Sequence, residues 1–389
     1  MEKIRVGIVG LGGRGRGMLY IVEQFDEAEC VAACDIRSKN WFERLGKGKE
    51  PPMSEKFPNA NFYESYEEML DKENLDLVLV ETGGTVHTEF CVKALEKNIN
   101  VLTDIPVVAS LEEAEMLWKA HLNSTAMISI GANPNEQKYT YMLKDFYKSG
   151  KLGKPYYMEA EYLHPIFPDS KEAVQLVENG AWRNEISPIR YCTHSIGPLL
   201  TVVEEELRYV SCFGTGRHAD EKDYMLVDNM DDMNTAIFRT ESGISMRILR
   251  NGRCRALKRC HSYRVFGTEG YIERIAYATS GIPTVIRYNS TLDNDEALHE
   301  VSGEFMLPEY TERIENGKLD RSKMHDGMDF AMVDHVLKAI INGDPAPISL
   351  KEGLEMTLPG IYAEESARRG GQLIYMRYPW DEDWSTEIK

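Results

Sequence analysis

The sequence predicts an α/β chain of two domains. The first, residues 1–128, is a doubly wound parallel sheet; the second, 129–389, is an α/β domain with an open, largely antiparallel sheet. Three observations carry this reading. Up to about residue 125, short continuous apolar runs alternate with amphipathic stretches, the pattern of repeated βα units whose strands are buried on both faces. Beyond the next helix, apolar and polar residues alternate one by one along segments separated by glycine turns, the pattern of antiparallel strands. The length of 389 residues exceeds one ordinary domain and gives two domains a core each.

In the first half the strand candidates are IRVGIVG, CVAACDI, DLVLVET, INVLTDIP and AMISIGA. HTEFCVKALEKN and LEEAEMLWKAHL, with apolar residues at three- and four-residue spacing, are the helices between them. KGKEPPMSEKFPNAN, rich in Pro, Lys and Glu, reads as a surface loop. The helix NEQKYTYMLKDFYKSGKLGKP leads into the alternating strands YYMEAEYLH, LRYVSCFGTG, NTAIFRTESG, ISMRILRN and SYRVFGTEGYIERI. Two helices close the chain, MDFAMVDHVLKAIING and LKEGLEMTLPGIYAEESARRGG, and are expected to pack back toward the first domain.

Bulk properties exclude several function classes. A net charge of −18 repels a phosphate backbone, so no nucleic acid is expected as partner. No apolar run approaches the ~20 residues that cross a bilayer, so no membrane is expected either. MEKIRVGIVG enters a strand at once without a secretory leader, which points to the cytoplasm. Seven cysteines without a CxxC pair read as reduced, mostly buried thiols. The scattered histidines show no HxxxH or HExxH spacing, so no metal is expected.

The segment VGIVGLGGRGRG places Gly10, Gly12 and Gly15 in a GxGxxG pattern between a strand and a helix, with Asp35 ending the following strand. That is the context of a Rossmann dinucleotide site: the glycines bring main-chain N–H groups to the pyrophosphate, and the acid binds the adenosine ribose. Asp35 repels a 2′-phosphate, so the expected cofactor is NAD. Gly13 and Arg14 belong to the same turn. Thr82, Gly83 and His87 follow the fourth strand at the carboxyl edge of the sheet, where doubly wound folds bind ligands.

With these residues in hand, the chain resembles the Gfo/Idh/MocA oxidoreductases over nearly its full length. The family's Glu-Lys-Pro after the fifth strand reads Asp104-Ile105-Pro106 here, and an isoleucine transfers no proton, so the family's lysine-centred mechanism is closed to this chain. Asp104 and Pro106 remain candidates for the cofactor side. The run Tyr191-Cys192-Thr193-His194-Ser195-Ile196-Gly197-Pro198 and the late His325-Asp326-Gly327-Met328-Asp329 are similar to motifs of a subgroup without that lysine, the NAD-dependent α-N-acetylgalactosaminidase-like glycosidases. The glutamate that subgroup carries after the sixth strand has no counterpart in GANPN.

The resemblance implies Tyr191 and His194 as catalytic residues, with Tyr162 beside them. His164, Trp182, Arg183 and His325 complete a substrate set, Trp182 and Arg183 as stacking and binding groups for a sugar. The spacing of Tyr191 and His194 at a helix entry turns both to one side, and Pro198 is expected in the first turn. The basic cluster RNGRCRALKRCH reads as a solvated strand pair or a patch for an acidic ligand or a second subunit.

The implied activity is NAD-dependent hydride transfer at a secondary ring hydroxyl of a carbohydrate, in a glycosidase that oxidises, eliminates, hydrates and re-reduces with NAD recycled. A simple sugar or inositol-type dehydrogenase is the rival enzyme, and a non-catalytic NAD or sugar sensor the rival from another class. A homodimer or homotetramer is the expected assembly.

Overall fold

The computed structural model describes residues 2–44, 51–164, 186–218, 231–251, 259–276, 283–293, 295–302 and 327–389. The chain divides into two compact units, Met1–Gly131 with Pro308–Gly353, and Ala132–Leu307 with Leu354–Lys389.

The first unit is built on six parallel strands: β1 (Ile4–Val9), β2 (Ala28–Cys34), β3 (Asn61–Tyr63), β4 (Leu77–Val80), β5 (Asn100–Thr103) and β6 (Ile128–Ile130). Their order is β3-β2-β1-β4-β5-β6. Helices α1 (Gly13–Val22), α2 (Tyr66–Lys72), α3 (His87–Glu96) and α4 (Leu111–Leu122) make crossovers. The side chains of Ser65 and Ser110 accept the Glu68 and Glu113 N–H groups, capping α2 and α4 at the start that the sequence dictates. All four residues of β4 are buried, as a strand covered on both faces requires. Strand order reverses between β1 and β4, which opens the crevice where such sheets bind ligands.

The second unit carries a nine-stranded sheet made from β7 (Pro155–Leu163), β8 (Leu207–Gly214), β9 (Met233–Thr240), β10 (Ser245–Asn251), β11 (Arg259–Gly267), β12 (Gly270–Ile275), β13 (Val285–Ser290), β14 (Asp295–Ser302) and β15 (Ile374–Tyr375). The order is β14-β13-β12-β11-β7-β10-β9-β8-β15, antiparallel throughout except for β7 with β10. Period-two patterning decides the faces: Asn234, Ala236, Phe238 and Thr240 of β9 are buried while Thr235, Ile237 and Arg239 between them are exposed. Helix α5 (Lys138–Lys148) precedes the sheet, and α6 (Thr193–Leu200) packs on β7 and β11.

Of the closing helices, α7 (Met328–Asn342) belongs to the first unit, where Phe330 stacks on Phe25 with centroids 4.3 Å apart. The division between units falls inside α8 (Leu350–Arg368). The expected loop after residue 50 instead holds a helical turn, Met53–Lys56, and then the edge strand β3. Among the described residues, no helix is long and apolar enough to cross a membrane. Burial pushes the thiols of Cys34, Cys91, Cys192 and Cys212 up to about 12.

The turn from β1 to α1 depends on two glycines. Gly10 has φ +94°, and a Cβ there would lie 2.6 Å from the Glu81 carbonyl oxygen. A Cβ on Gly15 would lie 1.9 Å from the Gly10 oxygen, so helix and strand touch main chain to main chain. At Gly17, two residues further along the same helix, a Cβ meets nothing within 4 Å among the described residues. Gly15→Ala is therefore expected to destabilise the protein by about 1–3 kcal/mol through overpacking. Gly17→Ala is expected to stabilise it by about 0.5–1 kcal/mol. Thermal melts of the two variants check the contrast; a Gly15→Ala midpoint equal to wild type contradicts the packing.

Candidate active site

The glycine turn leaves its N–H groups available. Gly12 precedes α1 with no side-chain cap, and among the described residues a Cβ on Gly12 or Gly13 would meet nothing within 4 Å. Uncapped N–H groups at a helix start are a binding site for a diphosphate. Asp35 stands at the end of β2, buried. Its Oδ2 accepts the Leu11 N–H at 2.6 Å and the Asn40 amide at 3.1 Å, and its Oδ1 accepts the Arg37 N–H at 2.7 Å. A carboxylate offers about four lone pairs, so Asp35 braces the turn and keeps roughly one position for a ribose hydroxyl. Next to it the apolar Ile36 is 85% exposed.

Farther along the carboxyl edge, Thr82 Oγ1 lies 3.2 Å from His87 Nδ1, and Val86 N–H bonds the Gly83 oxygen at 3.0 Å. His87 is buried, and burial pulls its imidazole down to about 4 against the upward pull of Asp104, so the ring is neutral at pH 7. Asp104 follows β5 and leads into a cis Ile105–Pro106 bond. Ile105 is 2% exposed. The position of the family lysine is thus an apolar core position here.

Arg14 reaches across this edge. Its Nε lies 3.0 Å from Asp104 Oδ2 and 3.7 Å from Glu81 Oε2, and its Nη1 lies 2.7 Å from Asp329 Oδ2. Burial alone would lower the guanidinium's pKa, but Asp104, Asp329 and Glu81 outweigh it and hold it well above the ordinary value. Glu81 is the odd member. Burial, with the charge of Asp104, raises its carboxyl well above the usual range despite Arg14, and its Oε2 has no hydrogen-bond partner. The cluster therefore favours the protonated form of Glu81 over that of an ordinary exposed carboxyl.

In the second unit, Tyr191 ends a 3₁₀ turn (Pro188–Tyr191) and His194 stands in the first turn of α6. The Tyr191 hydroxyl and His194 Nε2 are 3.0 Å apart, so the two nominated catalytic groups share a hydrogen bond. Tyr162 and His164 from the end of β7 join them. The Tyr162 hydroxyl lies 2.8 Å from His164 Nδ1, and its ring is 5.4 Å from that of His194. Four of the nominated residues thus form one aromatic and imidazole cluster.

Two members were not nominated. His261 stacks on Tyr162 with centroids 5.0 Å apart and meets His194 edge-on at 5.3 Å. Arg250, 5% exposed, sits 4.3 Å over the Tyr162 ring and donates to the carbonyl oxygens of Tyr162 at 2.6 Å and Pro188 at 3.2 Å. Both come from the basic cluster read as a solvated strand pair; at Arg250 that reading is corrected, since inward strand parity buries the side chain over the aromatic rings. Residues 252–258 of the cluster, Trp182, Arg183 and His325 lie outside the described residues.

The entry to α6 also differs from expectation. The helix starts at Thr193, which places Pro198 beyond the first turn, where its missing N–H leaves the carbonyl of residue 194 without its helical donor. The Tyr263 hydroxyl donates to that oxygen at 2.6 Å, and Tyr139 stacks on Tyr263 at 5.2 Å. Pro198 and Tyr263 together fix the backbone of His194. Among the described residues, no group of three or more His, Cys, Asp or Glu is arranged to hold a metal ion.

Comparison with known proteins agrees with this layout. Residues 4–132 match the oxidoreductase family with NAD-binding Rossmann fold, and residues 141–273 match the GFO/IDH/MocA C-terminal domain. Glycosyl hydrolase family 109 protein 2 of Akkermansia muciniphila is 24% identical, covering 100% of this chain and 85% of its own. The α-N-acetylgalactosaminidase of Shewanella oneidensis is 23% identical over 94% of this chain and 83% of its own. The WlbA dehydrogenase of Bordetella pertussis, solved with NADH and UDP-GlcNAcA, superposes with a TM-score of 0.70 at 16% identity, over 97% of this chain and 98% of that one.

Three outcomes follow from the electrostatics and packing. Folded Glu81 keeps a proton that the unfolded chain releases above about pH 4.3, so its contribution to stability falls as pH rises from there. The melting midpoint of Glu81→Gln is therefore expected to gain on wild type as pH rises above about 4.3; a constant difference contradicts the upward shift. His87 has the opposite sign: its folded form refuses a proton that the unfolded chain takes up near pH 6.5. Wild type should lose stability relative to His87→Gln as pH falls from 6.5 toward 4, by denaturant titration. Tyr263→Phe strands a buried carbonyl and is expected to cost about 1–3 kcal/mol in the same assay.

Proposed function

The chain belongs to the Gfo/Idh/MocA oxidoreductase family, and from that premise we propose that it is a glycosidase that recycles NAD on a carbohydrate substrate. The observation that carries the reading is the Tyr191–His194 hydrogen bond at 3.0 Å in a chain whose lysine position is the buried Ile105. Relatives named as family 109 glycosyl hydrolases and an α-N-acetylgalactosaminidase support it.

The first unit holds the cofactor through its own main chain. Gly10, Gly12, Gly13 and Gly15 present the N–H groups of the turn to the diphosphate, and Asp35 accepts a ribose hydroxyl. Thr82, Gly83, His87, Asp104 and Pro106 line the carboxyl edge on the nicotinamide side. Bound NAD supplies a two-electron acceptor that serves as donor later in the same turnover.

Proton movement falls to the second unit. As a ring hydroxyl of the sugar is oxidised, its proton passes to the Tyr191 oxygen while the Tyr191 proton moves to Nε2 of His194. The resulting ketone acidifies the neighbouring C–H, whose proton passes to the departing oxygen as the aglycone at the next carbon leaves by elimination. Water adds across the double bond, and the stored proton returns from His194 through Tyr191 when the ketone is reduced. Net redox change is zero, and no pair of hydrolytic carboxylates is required. Tyr162, His164 and His261 shape the cluster around the imidazole, with Arg250 fixing the strand ends beneath them.

A plain sugar dehydrogenase is the second reading, favoured by the fold shared with the WlbA dehydrogenase. Chromogenic α- and β-glycosides, assayed with and without added NAD, separate the two. The glycosidase releases chromophore without NADH accumulating; stoichiometric NADH assigns the chain to the dehydrogenases instead. Tyr191→Phe and His194→Ala are each expected to lower kcat by about 10²–10⁴-fold, the ordinary worth of a general acid or base. Unchanged turnover in both variants removes the assigned roles.

A further inference from the structure

Two sequence motifs that lie at opposite ends of the chain meet in the first unit. Arg14 is the second residue of α1, inside the glycine turn, and Asp329 belongs to the late Gly-Met-Asp run, the second residue of α7. Every nitrogen of the Arg14 guanidinium is engaged by a carboxylate: Nε with Asp104 at 3.0 Å, Nη2 with Asp104 at 3.4 Å, and Nη1 with Asp329 at 2.7 Å. The Asp329 side chain is 1% exposed, so its charge is answered inside the fold.

This geometry commits three of the five guanidinium N–H donors to carboxylates, so Arg14 has little left for a phosphate. It suits another task. The N–H groups that start α1 have no side-chain cap, and no atom lies within 4 Å of where a Cβ on Gly12 or Gly13 would be. Among the described residues, nothing packs that side of the turn. Beside the Asp35 brace and the Gly15 contact, the side chain of Arg14 ties the start of α1 to the end of β5 and the start of α7.

We propose that Arg14 is a positioning residue for the dinucleotide turn, anchored by Asp329, so that the grip of the turn on NAD depends on a carboxylate delivered by the late Gly-Met-Asp motif. Charge alone gives the opposite expectation. Three carboxylates face one guanidinium here, and removing a negative charge should favour a ligand with two phosphates. Anchoring demands that the same change weaken it.

The test is titration of the full-length chain with NADH, followed by nicotinamide fluorescence, alongside circular-dichroism melts without cofactor. Asp329→Asn is expected to weaken NADH binding about ten-fold although a negative charge is gone. Arg14→Lys, which keeps the charge and loses the fork, is expected to weaken it similarly, and the double variant to be no worse than either single one. At saturating NAD, kcat of Asp329→Asn stays within about two-fold while KM for NAD rises; a fraction of misfolded enzyme would instead lower kcat at constant KM. Equal or tighter binding by Asp329→Asn overturns the proposal. If that variant does not fold by circular dichroism, Arg14→Lys decides alone, and wild-type affinity in it overturns the proposal.

Discussion

The close approach of main chain to main chain at the β1–α1 turn is the constraint on which the first unit rests. Gly10 lies against the Glu81 carbonyl and Gly15 against the Gly10 carbonyl, and neither contact leaves room for a methyl group. The helix start is thereby pressed onto the end of the sheet, and the polar residues at that edge must live in a small, poorly hydrated volume. Arg14, Glu81, Asp104 and Asp329 are gathered there as a consequence. One cation among three acids is tolerable only because a buried carboxyl can keep its proton.

The second unit solves a different problem, that of holding an imidazole in one orientation. Tyr191 fixes its Nε2 edge, Tyr162 and His261 border its ring, and Tyr263 takes the carbonyl behind it. Arg250 binds two carbonyl oxygens rather than a ligand, which ties the end of β7 to the turn before Tyr191. These contacts come from the 3₁₀ turn before α6 and from β7, β10 and β11, so the cluster is a product of sheet pairing and not of any local segment.

That distinction explains how much was legible in the sequence. The glycine turn, Asp35, the order of βα units and the Tyr191–His194 pair are encoded by residues close together, and their patterns were readable. His261 and Arg250 depend on which face of β10 and β11 turns inward, and on β7 lying between those two strands. No local periodicity states that. Strands β13 and β14, with sequences VIRYNS and DEALHEVS, carry too few apolar residues to stand out, and β3 has only three residues. Ile36 reads in the sequence as one more apolar residue at a strand end; its exposure is visible only in the structure. The role of Asp329 was hidden because its partner lies near the other end of the chain.

The proline in α6 binds the history of two positions together. While residue 198 is proline, the carbonyl of His194 has a vacancy in its helical bond, and a hydroxyl at residue 263 fills it. Were a lineage to regain an ordinary residue at 198, the helix would supply its own donor and the tyrosine would be released to drift. Were the tyrosine lost first, the carbonyl would be left dry and selection would act at once. Divergence at this pair therefore has a direction: proline must change before tyrosine does.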